Sequence, residues 1–344
     1  MKNNEPYKTL ELSGVKFTYN DKYWALPNRK NIRWAIKDNE KAIDYSRQIA
    51  KPSRLLSVIY YFIFRKLRFF NLRNKFFNSV GSQINDSVVN IYFGARGVFK
   101  KNTVQEVDSN GNITYTKVAV GELAPIRLEA EYNALLILDK FKTELKYLNV
   151  PNVISARKVD GKIVALRTSS VCSTDGKINS SLSNMHHLAL VELANLTISE
   201  STSINEYKRL SITKDDALSN VMVKVCLSHG DFTPWNTMIT SDALSVFDWE
   251  MCDRRPVGWD LFNYIFHAEI LIKKNVNCFD DIIKSNEEII TGFYKSVGIL
   301  SEWKQYADLY KIEMKKIYIE QRELCREYDM PHDKGIDILL KSLS

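Results

Sequence analysis

Hydrophobic and polar positions divide the chain into three textures. In the first, "NEKAIDYSRQIA" (39–50) has helical spacing, Pro52 interrupts it, and "SRLLSVIYYFIFRKLRFFNLRNKFF" follows. There Leu55, Val58, Ile59, Phe62 and Ile63 share one helical face, which predicts an amphipathic helix. From 86 the spacing turns to strands: "SVVNIYF" (87–93) leads into "GARG" (94–97), and "KKNTVQEVD" and "NITYTKVAVG" flank the turn "SNG". The second of those strands carries Lys117. "LEAEYNALLILDKF" (128–141) predicts a helix with Glu131 near its start, and "VPNVISARKVDGKIVALRTS" predicts a hairpin turning at Asp160–Gly161. After 170 the pattern is mainly helical, broken by strands and loops over 225–250 and resuming from 257 to 342. No internal repeat is visible.

This order sets the expected domains: an N-terminal extension over 1–85, a β-rich part over 86–170, and a helical part over 171–344. A strand-rich front and a helical rear predict an α+β, two-lobed enzyme. Composition fits a globular chain, with 45% hydrophobic and 26% charged among 344 residues. The five cysteines (172, 226, 252, 278, 325) are odd in number, and no C-x-x-C occurs. Neither a disulfide framework nor a zinc site follows, so the expected location is a reducing cytoplasm. The start "MKNNEPYKTLEL" lacks the apolar core of a secretion signal. The longest apolar run, "LLSVIYYFIF", is about half the length of a membrane span.

The net charge of +7 favours an anionic partner. Between Asp44 and Asp86 there is no acidic residue, whereas Arg47, Lys51, Arg54, Arg65, Lys66, Arg68, Arg73 and Lys75 are basic. Two readings of that stretch stand side by side. It packs on the body with a solvated basic side, or it lies on the inner face of an anionic membrane and makes the protein peripheral. No nucleic-acid motif accompanies the basic run, so nucleic acid is not an expected partner.

The chemistry concentrates in "SHGDFTPWN" (228–236) and "VFDWE" (246–250). Asp and Asn are common turn residues, which is the plain reading of this cluster. The other reading is phosphoryl transfer, which needs a carboxylate near the attacking hydroxyl and a metal held by oxygen donors. Asp231 and Asn236, five residues apart, suit a loop offering a carboxylate to substrate and an amide oxygen to metal. The run 237–248 reads as a hairpin that brings Asp248 back to the same end. His186–His187, His267, Trp249 and Trp259 read as packing residues, and Glu250 remains open between a binding role and none. Nothing beside Cys226 or Cys252 predicts a reactive thiol.

These segments resemble the aminoglycoside phosphotransferase and choline kinase-like family, over roughly residues 87–330. "SHGDFTPWN" is similar to its catalytic loop, "VFDWE" to its metal-binding motif, and "PVGWDLFNYIF" (256–266) to the segment that follows. "YTKVAV" resembles the strand with the phosphate-binding lysine, "EAEYNALLIL" the helix whose glutamate pairs with it, and "NVPNVIS" the entry to the next strand. The resemblance implies a bilobal protein-kinase-like fold that uses ATP or GTP with Mg2+. It makes Asp231 the catalytic base, His229 a brace for the loop, and Asn236 and Asp248 the metal ligands. Lys117 would hold the nucleotide phosphates, Glu131 would orient Lys117, and Gly94 and Gly97 would let the backbone close over the nucleotide. Asp260 would support the catalytic loop from below.

The chain departs from the family in ways that bear on substrate. Aminoglycosides are polycations, and this chain is basic. "DWE" stands where protein kinases carry D-F-G, and no A-P-E-type segment is present. The expected function is phosphorylation of a hydroxyl on a small molecule or glycan, such as a membrane-proximal surface-polysaccharide sugar. That finer step follows a resemblance to kinases of bacterial envelope polysaccharide synthesis. The alternatives are a catalytically silent kinase-like binding protein and an aminoglycoside- or choline-type kinase.

Overall fold

The structure, a computed structural model, describes residues 9, 12–13, 23–28, 31–37, 88–94, 97–171, 176–177, 179–199, 202–203, 222–275, 277–330 and 334–344. The chain forms two compact units, one within residues 1–132 and 151–175, the other within 133–150 and 176–344.

The first unit is built on a seven-stranded sheet in which every neighbouring pair is antiparallel. Its strands are β1 (Tyr23–Asn28), β2 (Asn31–Lys37), β3 (Val88–Phe93), β4 (Lys101–Val107), β5 (Ile113–Ala119), β7 (Val153–Val159) and β8 (Lys162–Ser169), in the order β1-β2-β3-β4-β5-β8-β7. Alternation along β5 sends Thr116 and Val118 into the core and turns Lys117 to the opposite face. The hairpin expected around "SNG" is tied by Asp108, whose carboxylate accepts the N–H groups of Asn110 and Asn112 at 2.9 and 2.8 Å.

Helix α1 (Ala124–Asp139) begins four residues before its expected start. Pro125 sits in its first turn, where a missing N–H costs no intrahelical bond. Glu131 therefore lies mid-helix. Leu128 packs with Ile163 and Leu166, and Ala119, Tyr132, Val153 and Ala156 close around them, which fixes α1 to the sheet.

Part of the first 85 residues belongs to this unit. Strand β2 pairs with β3 through Trp34↔Tyr92 and Ala35↔Ile91, and buried Thr9 accepts a hydrogen bond from Asn102 Nδ2 at 2.9 Å. The basic amphipathic helix expected within 45–85 lies outside the described residues. Among the described residues no helix is long and apolar enough to cross a membrane.

The second unit is mainly helical: α2 (Asn184–Thr197), α3 (Trp259–His267) with a π-helical turn after it (Ala268–Ile272), α4 (Phe279–Ser285), α5 (Glu287–Ser296), α6 (Trp303–Glu327) and α7 (Lys334–Ser342). Every residue of α3 is buried, so it is the helix around which the others pack. Phe262, Phe266, Phe279, Tyr294 and Tyr310 form the aromatic core, with Phe279 stacked on Tyr310 at 5.7 Å. Short strands cross this unit, β9 (Thr202–Ser203) pairing with β10 (Met222–Val223). β11 (Val225–Ser228) pairs with β14 (Asp253–Pro256), and β12 (Thr237–Ile239) pairs with β13 (Leu244–Val246). β6 (Leu148–Asn149) adds to β13 in parallel.

Candidate functional site

Strand β11 is buried along its whole length and delivers the chain to His229. From the first turn of α3, Asp260 accepts the backbone N–H of His229 at 2.7 Å and that of Gly230 at 3.0 Å. Gly230 has φ +83, and a Cβ there would stand 2.1 Å from the carbonyl oxygen of Met251, so no other residue fits. Asp260 is almost wholly buried, and burial pushes its pKa up to about 6, against the two N–H donors and the Arg255 charge that pull it down. The support from below is thus a carboxylate clamp on the backbone.

The His229 ring joins two segments. Its Nδ1 accepts the Asp231 N–H at 3.2 Å, so Nε2 carries the proton and donates to the Phe247 carbonyl at 3.0 Å. Trp249 closes over the ring edge-on, centroids 4.7 Å apart. A neutral imidazole therefore braces the loop after β11 against the end of the following hairpin.

The loop next makes a 3-10 turn, Pro234–Asn236, entered by a proline that presets the backbone. Asn236 Nδ2 donates to Asp231 Oδ2 at 2.9 Å and to the Asp231 carbonyl at 3.0 Å. Both amide hydrogens go to Asp231, which leaves Oδ1 of Asn236 as an acceptor. The hairpin β12–β13 returns as expected, and the Phe247 N–H bonds the Asn236 carbonyl at 3.2 Å. Asp248 follows at once in the left-handed region, φ 70, a conformation Asp tolerates better than most residues. An amide oxygen and a carboxylate are brought to one end of one hairpin. Both are hard oxygen donors, so the pair fits a small divalent cation that keeps its remaining positions for phosphate and water.

In the sheet unit, Lys117 Nζ lies 2.5 Å from Glu131 Oε1, bridging β5 and α1. Glu131 is buried at 2% exposure, and its Oε2 has no hydrogen-bond partner among the described residues. A buried carboxylate requires such a cation. Gly94 has a different reason for being glycine: a Cβ there would lie 2.0 Å from the Lys101 carbonyl oxygen across the β3–β4 hairpin. Gly97 opens the turn closed by the Lys100 N–H and has open space around it.

Sequence reasoning missed a buried polar chain behind the loop. Asn263 donates to the Phe232 carbonyl at 3.2 Å and accepts from the Tyr310 hydroxyl at 3.1 Å. His267 Nδ1 donates to the Asn263 carbonyl at 2.8 Å, and its Nε2 accepts from the Tyr318 hydroxyl at 2.8 Å. Burial pushes His267 down to about 4, so it stays neutral. The available signal was helical spacing: Asn263 and His267 follow Asp260 at three and seven positions, on one face of α3. His186 caps α2 through Ser183, and Trp249 and Trp259 are core, as expected. Cys226 is pushed up to about 12 and Cys252 higher still, mainly by burial, so neither is a thiolate.

Residues 203–273 match the family described as the phosphotransferase enzyme family. That span contains Asp231, Asn236, Asp248 and Asp260, and the resemblance drawn from "SHGDFTPWN" and "VFDWE" is a family match where those motifs lie. No curated protein matches the sequence. Among solved structures, the chain is similar to an aminoglycoside 2′-phosphotransferase in its GDP complex, with 11% identity and a TM-score of 0.44, over 83% of this chain and 95% of that one. It is similar to an amicoumacin kinase in complex with AMP-PNP and Ca2+, with 11% identity and a TM-score of 0.40, over 74% and 86%. A macrolide 2′-phosphotransferase from Brachybacterium faecium shares 10% identity at a TM-score of 0.40, over 74% and 92%. Residues 203–273 thus resemble a phosphotransferase family, in a chain of α+β class with an antiparallel sheet in one unit and helices in the other.

Proposed function

We propose that the chain is a kinase-type phosphotransferase that moves the γ-phosphoryl group of ATP or GTP, with Mg2+, to a hydroxyl of a small molecule or glycan. The observation that carries the reading is the Asn236 amide, which fixes the Asp231 carboxylate with its hydrogens and leaves its oxygen as an acceptor, with Asp248 next in the chain after the residue that bonds the Asn236 carbonyl. A turn cluster with no chemistry has no need of that division of labour.

In this reading Asp231 accepts the proton of the acceptor hydroxyl as the oxygen attacks phosphorus; the bond from phosphorus to the leaving diphosphate oxygen breaks. His229 and Asp260 hold the loop so that Asp231 is positioned before substrate arrives. Asn236 Oδ1 and Asp248 would hold the metal, whose chemistry is to neutralise charge on the phosphates. Lys117, oriented by Glu131, would take the α- and β-phosphates, and the backbone near Gly94 and Gly97 would close over them.

The finer reading places the acceptor at an anionic membrane surface, as a surface-polysaccharide sugar. The +7 charge and the acid-free basic stretch 45–85 support it. Sugars, lipid-linked glycans and amino alcohols, each offered with Mg-ATP and Mg-GTP, should show one acceptor gaining the mass of one phosphate. Nucleotide binding without transfer to any of them returns the chain to the silent-binder reading. Binding to anionic but not neutral vesicles, weakened by salt, tests the membrane step.

A further inference from the structure

From β11 through the loop into β12, residues 225–238 are buried with two exceptions: half-buried Asp231 and Trp235, which is 41% exposed. The other tryptophans of this region, Trp249 and Trp259, are 0% and 1% exposed. A closed loop thus presents two side chains to its surroundings, the base and an indole. Leaving a large apolar ring in water forgoes burial that the fold obtains everywhere else in this segment.

The indole is also held in place. It sits in the Pro234–Asn236 turn, where the next residue is bonded to Asp231. Its ring meets His267 edge-to-face, centroids 5.8 Å apart at 81°. His267 is fixed in turn by the Asn263 carbonyl and the Tyr318 hydroxyl. Asn263 also bonds the Phe232 carbonyl, so one buried network sets both the loop and the ring beside it. An exposed aromatic ring, rigidly supported next to a proton acceptor, is what a substrate platform requires.

Resting on the phosphotransferase reading above, we propose that Trp235 is the acceptor platform: its exposed indole stacks on the C–H face of a sugar ring that presents a hydroxyl to Asp231. A pyranose carries both halves of this requirement. One face is a flat patch of C–H bonds able to cover an indole, and its hydroxyls radiate from the rim. A linear amino alcohol has no such face. A quaternary ammonium would meet the ring through its charge, and the +7 chain disfavours a cationic acceptor.

The test uses full-length protein carrying 5-fluorotryptophan, with the Trp235 fluorine resonance assigned by its loss in Trp235→Phe. Methyl glycosides of glucose, galactose, mannose and N-acetylglucosamine are titrated, and choline is titrated separately, each with Mg2+ and a non-hydrolysable ATP analogue. At least one glycoside should move the Trp235 resonance, and choline should not. Trp235→Leu should weaken that glycoside about tenfold or more, while Trp235→Tyr, which keeps an aromatic face, should stay within about threefold. Thermal melting of the two variants separates lost contact from lost fold, and the Tyr variant keeps the comparison open if the Leu variant unfolds. No response to any pyranoside, a response to choline alone, or equal sugar affinity in Trp235→Leu overturns the platform. These readouts need no turnover. Sugar binding at Trp235 without phosphate transfer sinks the enzymatic reading alone, and sugar phosphorylation with an unchanged KM in Trp235→Leu sinks the platform alone.

Discussion

The carboxylate of Asp260 accepts the backbone N–H of His229 at 2.7 Å from 31 residues further along the chain. That bond and its twin to Gly230 make the loop position depend on one buried charge. Because burial raises the folded pKa to about 6, above the ordinary 3.8, folding favours the protonated form. The stability this gives is full below about pH 4 and is lost as pH rises through about 6. Asp260→Asn is neutral throughout. From pH 4 to 7 the variant should therefore gain on wild type by on the order of 3 kcal/mol. Urea unfolding at stepped pH measures it, and a difference that does not change with pH refutes it.

Asp231→Asn should keep the fold and nucleotide affinity while turnover falls by roughly 10²–10⁴-fold, the usual weight of a positioned proton acceptor. The new amide still offers its oxygen as acceptor to Asn236 Nδ2, so the loop pairing is kept and the loss reports the missing base. Steady-state kinetics with the identified acceptor decide it; turnover near wild type removes Asp231 from the role of base.

Asp248→Ala should abolish most Mg2+-dependent nucleotide affinity, and Asn236→Ala should weaken it less, since an amide brings no charge. Asn236→Ala should in addition lower turnover, because Asp231 loses the donor that fixes it. Calorimetry with and without Mg2+ separates the two effects. Wild-type binding in both variants would move the metal elsewhere.

Gly230→Ala should destabilise the protein by about 2–4 kcal/mol, from a left-handed backbone plus a collision with Met251. Activity should fall further than stability at permissive temperature, because relief of the clash displaces the residue before Asp231. A thermal melt beside a rate measurement tests both halves.

Much of this was legible because short-range pattern carried it. The β4–β5 and β7–β8 hairpins declare themselves by turn residues, and the hairpin behind Asp248 by its spacing from Asn236. What was not legible depends on partners distant in sequence. Glu131 lies farther from its helix start than the pattern predicts because the helix takes in Pro125. At Gly94 the close approach of the Lys101 carbonyl is a reason for glycine that no local pattern shows. Asn263 and Tyr310 meet across 47 positions, a pairing no local window contains. β14 has no strand signal of its own, since "DRRP" shows no alternation; its pairing with β11 makes it a strand.

The strand Leu148–Asn149, joined in parallel to β13, sets a limit on how the gene can be cut. Glu192 reinforces that join by accepting the N–H groups of Lys146, Tyr147 and Leu148 at 2.6, 2.9 and 3.0 Å. A truncation starting at residue 176 would strip the hairpin that carries Asp248 of its outer strand and leave Glu192 with no backbone to grip. The second unit is therefore not a contiguous reading frame. A two-fragment complementation system should be severed within 160–161, at the tip of a hairpin, so that 133–150 stays on the N-terminal piece and docks from there onto the C-terminal one.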